Sequence, residues 1–214
     1  MKLFFLLTLF FTVNVFPYSL LYIGEVESRQ WNDTWNKFYN YPLKIYAGGD
    51  PDGSERSILI KIQNSFGDDL NKYFVSKKCT ERQMKKKENA FGYKVCNENG
   101  YTRNYEYENL IYILNKSIEW SRIAKENNVE KVSKDIKYKG NTISSPFGGG
   151  NARFFAQGNY QADLILPAYF HLSDRKNRYY SLEAQEDFLE HLLKVKETID
   201  RSLEENKKAD DLFN

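Results

Sequence analysis

The sequence predicts an α+β fold, in which a mostly antiparallel sheet carries two long amphipathic helices packed on one face. Short β-prone runs follow one another with turn residues between them, instead of alternating with helices. Residues 104–127 and 181–204 repeat apolar side chains at intervals of three and four, as amphipathic helices do. Because neither a repeat nor a linker-like stretch interrupts the chain, residues 20–214 are expected to fold as a single domain.

Residues 1–19 have the layout of a secretory signal peptide. Lys2 precedes an apolar block, residues 3–16, and the small residue Ser19 stands at the end. The block is too short to cross a bilayer as a helix, which takes roughly 20 apolar residues. We therefore predict removal of residues 1–19 and export to the periplasm or the extracellular space. If cleavage fails, residues 3–23 would instead anchor the protein in the membrane.

The charge balance bears on the class of partner. The chain has 214 residues with 31 basic and 29 acidic side chains, which gives a formal net charge of +2. Nucleic-acid-binding domains usually concentrate a large basic excess. The sequence therefore predicts no nucleic-acid partner.

The two cysteines, Cys79 and Cys96, both lie in the part of the chain that would be exported. Two thiols in an oxidising compartment most often form a disulfide. The alternative is a redox or metal-binding pair, but the chain has no Cys-x-x-Cys spacing and no histidine near either cysteine. A disulfide between Cys79 and Cys96 is therefore predicted.

The β-prone runs are bounded by glycine, asparagine and aspartate, which are typical of turns. Residues 42–47 and 57–63 are expected to pair across the turn formers of residues 48–53. Residues 66–75 fit either a strand or a helical turn. The remaining predicted strands are residues 20–26, 136–143, 153–157 and 161–170, with a two-residue hairpin turn at Gly158 and Asn159 between the last two.

Three aromatic residues early in the chain fit one face of a short helix. Trp31, Trp35 and Phe38 recur at i, i+4 and i+7, and this stripe is expected to face the core. The alternative is that the stripe contacts a sugar or a lipid.

The two long helices carry recognisable end signals. Asn104 and Ser181 suit the N-cap positions, and acidic residues follow each of them in the first turn. Beyond the second helix, residues 204–214 are highly charged and are expected to fray. The apolar stripes consist of Leu110, Ile111, Leu114 and Ile118 in the first helix, and of Phe188, Leu192, Val195, Ile199 and Leu203 in the second.

Residues 144–151 are expected to be the most flexible stretch, because they contain three consecutive glycines. A phosphate-binding loop would need a Gly-Lys-Ser/Thr ending that opens a helix. Since that ending is missing and a predicted strand follows, residues 144–151 are interpreted as a plain loop.

The only binding site that the sequence suggests lies between the cysteines. Two short strands joined by a charged tip are expected there, and the tip contains Arg82, Lys85, Lys86 and Lys87, called the basic tip below. A disulfide at its base would lower the entropy lost when such a loop binds a partner. An anionic partner is predicted, either lipid head groups of an envelope surface or an acidic protein face; the alternative is a solvated loop without a function.

The residue types that most often carry catalysis do not converge in the sequence. His171 is expected at a solvent-facing strand end, and His191 in an ion pair with Asp187 on a helix surface. A zinc site usually takes at least three protein ligands, and glycosidase carboxylates face each other across a cleft instead of crowding one helix face. The sequence therefore predicts no catalytic residue, no metal site and no cofactor.

These expectations favour an exported protein without catalytic machinery, which acts by binding or as an accessory component of the cell envelope. Two alternatives stay open. One is a secreted hydrolase whose active site the sequence does not reveal, and the other is an inhibitor or immunity-type protein. An enzyme would have a deep pocket where polar groups converge, and a binding protein a flat or convex patch.

Overall fold

The fold is that of a computed structural model, which describes residues 20–213 apart from 51, 87, 91, 93, 158–160 and 172–173. The predicted signal peptide lies outside the described residues. So do Lys87 of the basic tip and the predicted hairpin turn at Gly158 and Asn159.

Within the described ranges the chain forms three helices and twelve strands. The helices are α1 (Glu81–Lys85), α2 (Tyr105–Glu126) and α3 (Leu182–Phe213). The strands are β1 (Leu21–Val26), β2 (Arg29–Asn32), β3 (Lys37–Asn40), β4 (Leu43–Gly49), β5 (Glu55–Gln63), β6 (Asp69–Lys77), β7 (Lys131–Asp135), β8 (Lys137–Tyr138), β9 (Asn141–Thr142), β10 (Arg153–Gln157), β11 (Gln161–Tyr169) and β12 (Arg175–Ser181).

The strands build two larger antiparallel sheets and one small hairpin, which confirms the predicted α+β class. The four-stranded sheet has the order β1-β4-β5-β6, and the six-stranded sheet has the order β3-β2-β12-β11-β10-β7. The sequence led us to expect one sheet. Two form because β1 pairs with β4, whereas β2, which starts after only two further residues, pairs with β12.

The two long helices pack against strands, as predicted, and help to join the sheets. α3 contacts β1 and β4 of the four-stranded sheet and β11 and β12 of the six-stranded sheet, while α2 packs on β10, β11 and α3. One cluster of buried residues draws on both sheets and both helices. Its members include Leu43, Ile45, Ile60, Ile62, Phe74, Leu110, Leu114, Leu164, Leu166, Tyr180, Phe188, Leu192 and Val195.

Several predicted elements are confirmed by the structure. β4 and β5 pair in register over seven residues, from Leu43 opposite Ile62 to Gly49 opposite Arg56. α2 begins after Asn104, whose side chain accepts a hydrogen bond from the Tyr107 backbone N–H. Periodicity located these elements well because each has one apolar face and clear end signals.

The predicted helix around Trp31, Trp35 and Phe38 is wrong, since these residues lie in the hairpin of β2 and β3. Trp31 stands opposite Phe38 in register, and their ring centroids are 5.0 Å apart. The turn is fixed by Asn32, whose side chain accepts from the Trp35 N–H, and by Asn36, which has a φ of 49°. A spacing of seven residues fits two turns of a helix. It equally fits a β-hairpin with a four-residue turn, in which the two aromatic residues stand opposite each other on the paired strands. The stripe does not face the core as expected, since Trp31, Trp35 and Phe38 are 36%, 69% and 42% exposed.

The sequence did not predict β7 or β12. Both strands are rich in charged residues, with the sequences KVSKD and RKNRYYS, and therefore lack the apolar alternation that identifies a half-buried strand. α3 continues to Phe213, beyond the predicted helix end near residue 204. Fraying of residues 204–214 concerns motion and stays a prediction.

The glycine-rich loop, residues 144–151, has no regular structure apart from a bridge between Ser144 and Asn151. Its interior is nevertheless packed, since Ser145 and Phe147 are both 4% exposed. This burial differs from the flexible stretch that the sequence led us to expect. The glycines allow the backbone to turn tightly enough for Phe147 to enter the core.

Candidate functional site

The predicted disulfide is present, with the Cα atoms of Cys79 and Cys96 6.4 Å apart. The residues between them are called the disulfide-bonded segment below, and its described residues form no strand, in contrast to the two strands expected there. α1 begins there instead, because Thr80 and Gln83 form a capping box in which each side chain bonds the other's backbone N–H. This Thr-x-x-Gln spacing is the local signal that a strand prediction overlooks.

The structure places Arg82, Lys85 and Lys86 on the exposed surface of α1 and its C-terminal end. No residue of α1 is buried, and Met84 beside these cations is 53% exposed. The three described cations of the basic tip therefore share one protruding turn. Binding of an anionic partner by this turn stays a prediction.

The chain that follows the disulfide lies along the end of β6. The backbone N–H of Cys79 donates to Gly100 O at 2.7 Å, and that of Thr102 donates to Lys77 O at 2.8 Å. These bonds, together with the disulfide, hold residues 97–104 against the four-stranded sheet. They form one wall of a depression that the sequence did not reveal.

This depression, called the cleft below, has a volume of about 190 Å³ and lies between β5, β6, residues 97–104, the start of α2, and α3. Four apolar side chains from the sheet and from α3, called its floor below, line it together with polar side chains. The apolar group is Ile58, Phe74, Val195 and Ile199, and the polar group is Arg56, Ser57, Ser76, Asn97, Asn99, Asn104, Glu108 and Lys196, with Tyr101 and Tyr107 between the two.

Arg56 and Tyr101 form a fixed pair in the wall of the cleft. The guanidinium carbon of Arg56 lies 3.8 Å from the centre of the Tyr101 ring, which is a close cation–π contact. The Tyr101 hydroxyl is buried and donates to Gly53 O at 2.7 Å. The ring is thus held at both ends, and a positive charge is positioned over its face.

The acidic residue of the cleft already has a partner. Arg103 donates to both carboxylate oxygens of Glu108, at 2.7 and 2.5 Å. This bidentate contact raises the pKa of Arg103 above its ordinary value. Since Glu108 is neutralised by Arg103, it does not cancel the charge of Lys196, which is exposed at the cleft.

Tyr107 lies deeper, where α2 meets α3. Its hydroxyl donates to Leu192 O at 3.0 Å, and burial raises its pKa to about 12. A phenol with that pKa stays protonated at neutral pH. Tyr107 therefore acts as a hydrogen-bond donor, and its donor is already taken up by Leu192.

The two histidines lie elsewhere. His171 is exposed at the end of β11, with its Nε2 3.4 Å from Asp68, as expected for a surface histidine. The predicted surface ion pair of His191 is wrong, because the ring packs against Gly24 of β1 and its Nδ1 is buried without a hydrogen-bond partner. The periodicity of α3 could not show this contact, since it depends on the missing side chain of a glycine on a distant strand.

The cleft was missed in the sequence because its residues come from four separate segments. Arg82, Lys85 and Lys86 do not line it. The described residues contain no group of three or more His, Cys, Asp or Glu side chains that could hold a metal ion. Among the described helices, none is both long enough and apolar enough to cross a membrane.

Comparison of the chain with protein-family models, with curated proteins and with solved structures gave no match. The function is therefore argued from the geometry alone.

Proposed function

We propose that this chain is an exported binding protein without catalytic machinery, and that the cleft takes a small amphipathic anion such as a medium-chain carboxylate. The observation that carries the proposal is an apolar floor with the exposed cation Lys196 beside it. Export rests on the sequence of residues 1–19, and the disulfide between Cys79 and Cys96 is consistent with an oxidising compartment.

The floor of the cleft sets the nature of the ligand body. Ile58, Phe74, Val195 and Ile199 offer hydrocarbon and aromatic surface without a hydrogen-bonding group. A volume near 190 Å³ is below the roughly 300–1,000 Å³ of pockets for drug-sized ligands. A short apolar chain fits such a space better than a large or branched molecule.

The wall and rim set the charge of the ligand. Lys196 directly follows Val195 of the floor and is exposed. Glu108 is held by Arg103 and does not cancel this charge. An anionic head group beside an apolar chain therefore complements the cleft.

The same lining supports binding over catalysis. A hydrolase needs a nucleophile or general base close to the scissile bond, with a second group that stabilises the developing charge. In the described lining Glu108 is held by Arg103, and the Tyr107 hydroxyl donates to Leu192. The ammonium group of Lys196 is suited to orienting an anion.

The test is calorimetric titration of the purified protein with linear carboxylates from butanoate to decanoate. We expect affinity to rise roughly fourfold per methylene, as about 0.8 kcal/mol per buried CH₂ implies, until the cleft is filled. Octanamide, which has the same chain without the charge, is expected to bind more weakly than octanoate. Affinities that do not change with chain length would contradict the proposal.

Three variants locate the binding. Lys196→Gln should weaken the binding of octanoate severalfold and leave the affinity for octanamide unchanged. Ser76→Phe should abolish the binding of both ligands, because the ring would fill the cleft. Lys194→Gln is the matched control, since Lys194 lies on the same helix but pairs with Glu190 and does not line the cleft. Equal effects of the two lysine variants would show that the cleft is not the binding site.

We further propose that the basic tip holds the protein at an anionic envelope surface. The support is the shared exposure of Arg82, Lys85 and Lys86 on a turn with no buried residue. Each basic residue near an anionic membrane contributes about 1 kcal/mol. Vesicles of neutral lipid with and without phosphatidylserine provide the assay.

Lys85→Gln, Lys86→Gln and Lys87→Gln together should weaken binding to the anionic vesicles, and added salt should do the same for the unmodified protein. The control replaces three other lysines, Lys125, Lys131 and Lys137, which are also exposed. Equal losses in both triple variants would indicate an unspecific charge effect, and no loss in either would leave the basic tip a solvated turn.

A further inference from the structure

The side chain of Arg178 is completely buried, with 0% of its surface exposed. It leaves β12 of the six-stranded sheet and reaches the four-stranded sheet, where its Nη2 donates to the backbone oxygen of Gln63, the last residue of β5. Arginine is among the residues least often fully buried unless it is paired. The question is therefore which groups compensate the charge and the N–H donors of Arg178.

Aromatic rings and a single carbonyl oxygen contact the guanidinium. Its central carbon lies 5.2 Å from the ring centre of Tyr41 and 5.3 Å from that of Phe170. Both rings attract a cation but accept no conventional hydrogen bond. The Nε and Nη1 atoms of Arg178 are buried and have no hydrogen-bond partner.

No carboxylate among the described residues forms an ion pair with Arg178. Asp174, four residues earlier, pairs with Lys176 at 3.0 Å, and Asp163 pairs with Arg29 at 2.5 Å. Tyr180, two residues later on the same strand, is fully buried, and burial raises its pKa, so its hydroxyl stays neutral. A buried cation without a countercharge costs several kcal/mol.

The polar groups near Arg178 are neutral and supply no negative charge. Gln30 stands opposite Arg178 in register, is buried, and donates from Nε2 to Ser65 Oγ at 3.2 Å. The Oε1 atom of Gln30 has no hydrogen-bond partner. A rotation of the side-chain amide by half a turn would exchange Oε1 and Nε2 and place N–H groups where Oε1 lies. The Tyr180 hydroxyl is also buried without a partner and can donate.

We propose that Arg178 is the centre of a buried chloride site, with Nε and Nη1 as its main donors and with Gln30 and Tyr180 beside them. A monatomic anion suits a guanidinium that is fully enclosed between two sheets. A water molecule could satisfy the unpaired N–H groups, but it would not supply the countercharge. This site is separate from the cleft, which none of these residues lines.

The test compares thermal unfolding in sodium chloride and in sodium gluconate at equal ionic strength. Chloride at tenfold its dissociation constant should raise the Tm by about 3–6 °C relative to gluconate. Arg178→Met should abolish this difference, whereas Arg122→Met, which removes an exposed arginine, should keep it.

If Arg178→Met does not fold, the unmodified protein still decides the question. Crystals grown in bromide should show an anomalous scattering peak beside the Arg178 guanidinium. Equal Tm values in chloride and gluconate, a water molecule without a halide at this position, or a chloride effect that persists in Arg178→Met would each overturn the proposal.

Discussion

The disulfide-bonded segment and the glycine-rich loop are both polar, turn-rich stretches of sequence, yet the chain holds them in different ways. α1 in the disulfide-bonded segment has no buried residue, whereas Ser145 and Phe147 of the glycine-rich loop are almost completely buried. The first is fixed by a covalent bond at its ends, and the second by packing along its length. A loop can thus be ordered without burial only where another constraint replaces it.

The contacts of the glycine-rich loop show what that packing involves. The Ser145 hydroxyl donates to Pro167 O at 2.6 Å, and the Tyr169 backbone N–H donates to Phe147 O at 3.2 Å. At Gly149, whose φ is 77°, a Cβ atom would lie 3.1 Å from the backbone nitrogen of Ala168. The loop therefore belongs to the packed end of β11.

The largest effect is expected from Phe147→Ala. Removing this buried ring should lower the free energy of unfolding by about 3–5 kcal/mol, because it deletes apolar contacts and leaves a cavity. Phe66→Ala is the control, since that ring is 76% exposed. Urea unfolding measures both, and equal losses would mean that the glycine-rich loop is not held by burial.

Breaking the disulfide should have the next largest effect. Replacing both Cys79 and Cys96 with serine should lower the free energy of unfolding by about 3 kcal/mol, as expected for a closed loop of this size. It should also expose residues 80–95 to proteases while the glycine-rich loop stays resistant. Equal proteolysis of both segments would remove the distinction between them.

Gly149→Ala should lower the free energy of unfolding by roughly 2–3 kcal/mol, because it combines the strain of a left-handed backbone with a close contact. Gly140→Ala isolates the strain, because Gly140 has a φ of 83° and a Cβ there would meet nothing within 4 Å. The control should lose only about 1 kcal/mol. Similar unfolding free energies for both variants would show that Gly149 does not need its close approach to β11.

The smallest effect is expected in the basic tip. Lys85→Gln with Lys86→Gln should leave the unfolding free energy unchanged within error, since exposed side chains away from packed features contribute little. Urea unfolding beside the unmodified protein checks this. A loss as large as that of Gly149→Ala would mean that these lysines hold the fold as well as face solvent.

The sequence predicted those parts of the fold in which one face of an element is apolar. α2, α3 and the β4–β5 pair follow from periodicity and end signals alone. Arg178 shows where this reasoning fails, because it ends the run Arg175-Lys176-Asn177-Arg178, which has the composition of a surface turn. Its burial depends on Tyr41, Phe170 and Gln63, which are distant in sequence.

The candidate cleft could not be predicted for the same reason. In the sequence, Arg56 and Tyr101 are separated by most of β5, by β6 and by the disulfide-bonded segment, and Lys196 belongs to the last helix. The disulfide itself could be predicted, because only two cysteines exist and the expected compartment favours their pairing.

The contact between Gly24 and His191 has a consequence for the history of the chain. A Cβ atom at position 24 would lie 2.4 Å from the His191 Nε2, so the bare backbone of Gly24 is what admits the imidazole. A side chain at position 24 would therefore require the imidazole of His191 to move away or to be replaced by a smaller side chain. Descendants of this gene that acquire a side chain at position 24 should carry a smaller residue at position 191, and the two substitutions should be inherited as a pair.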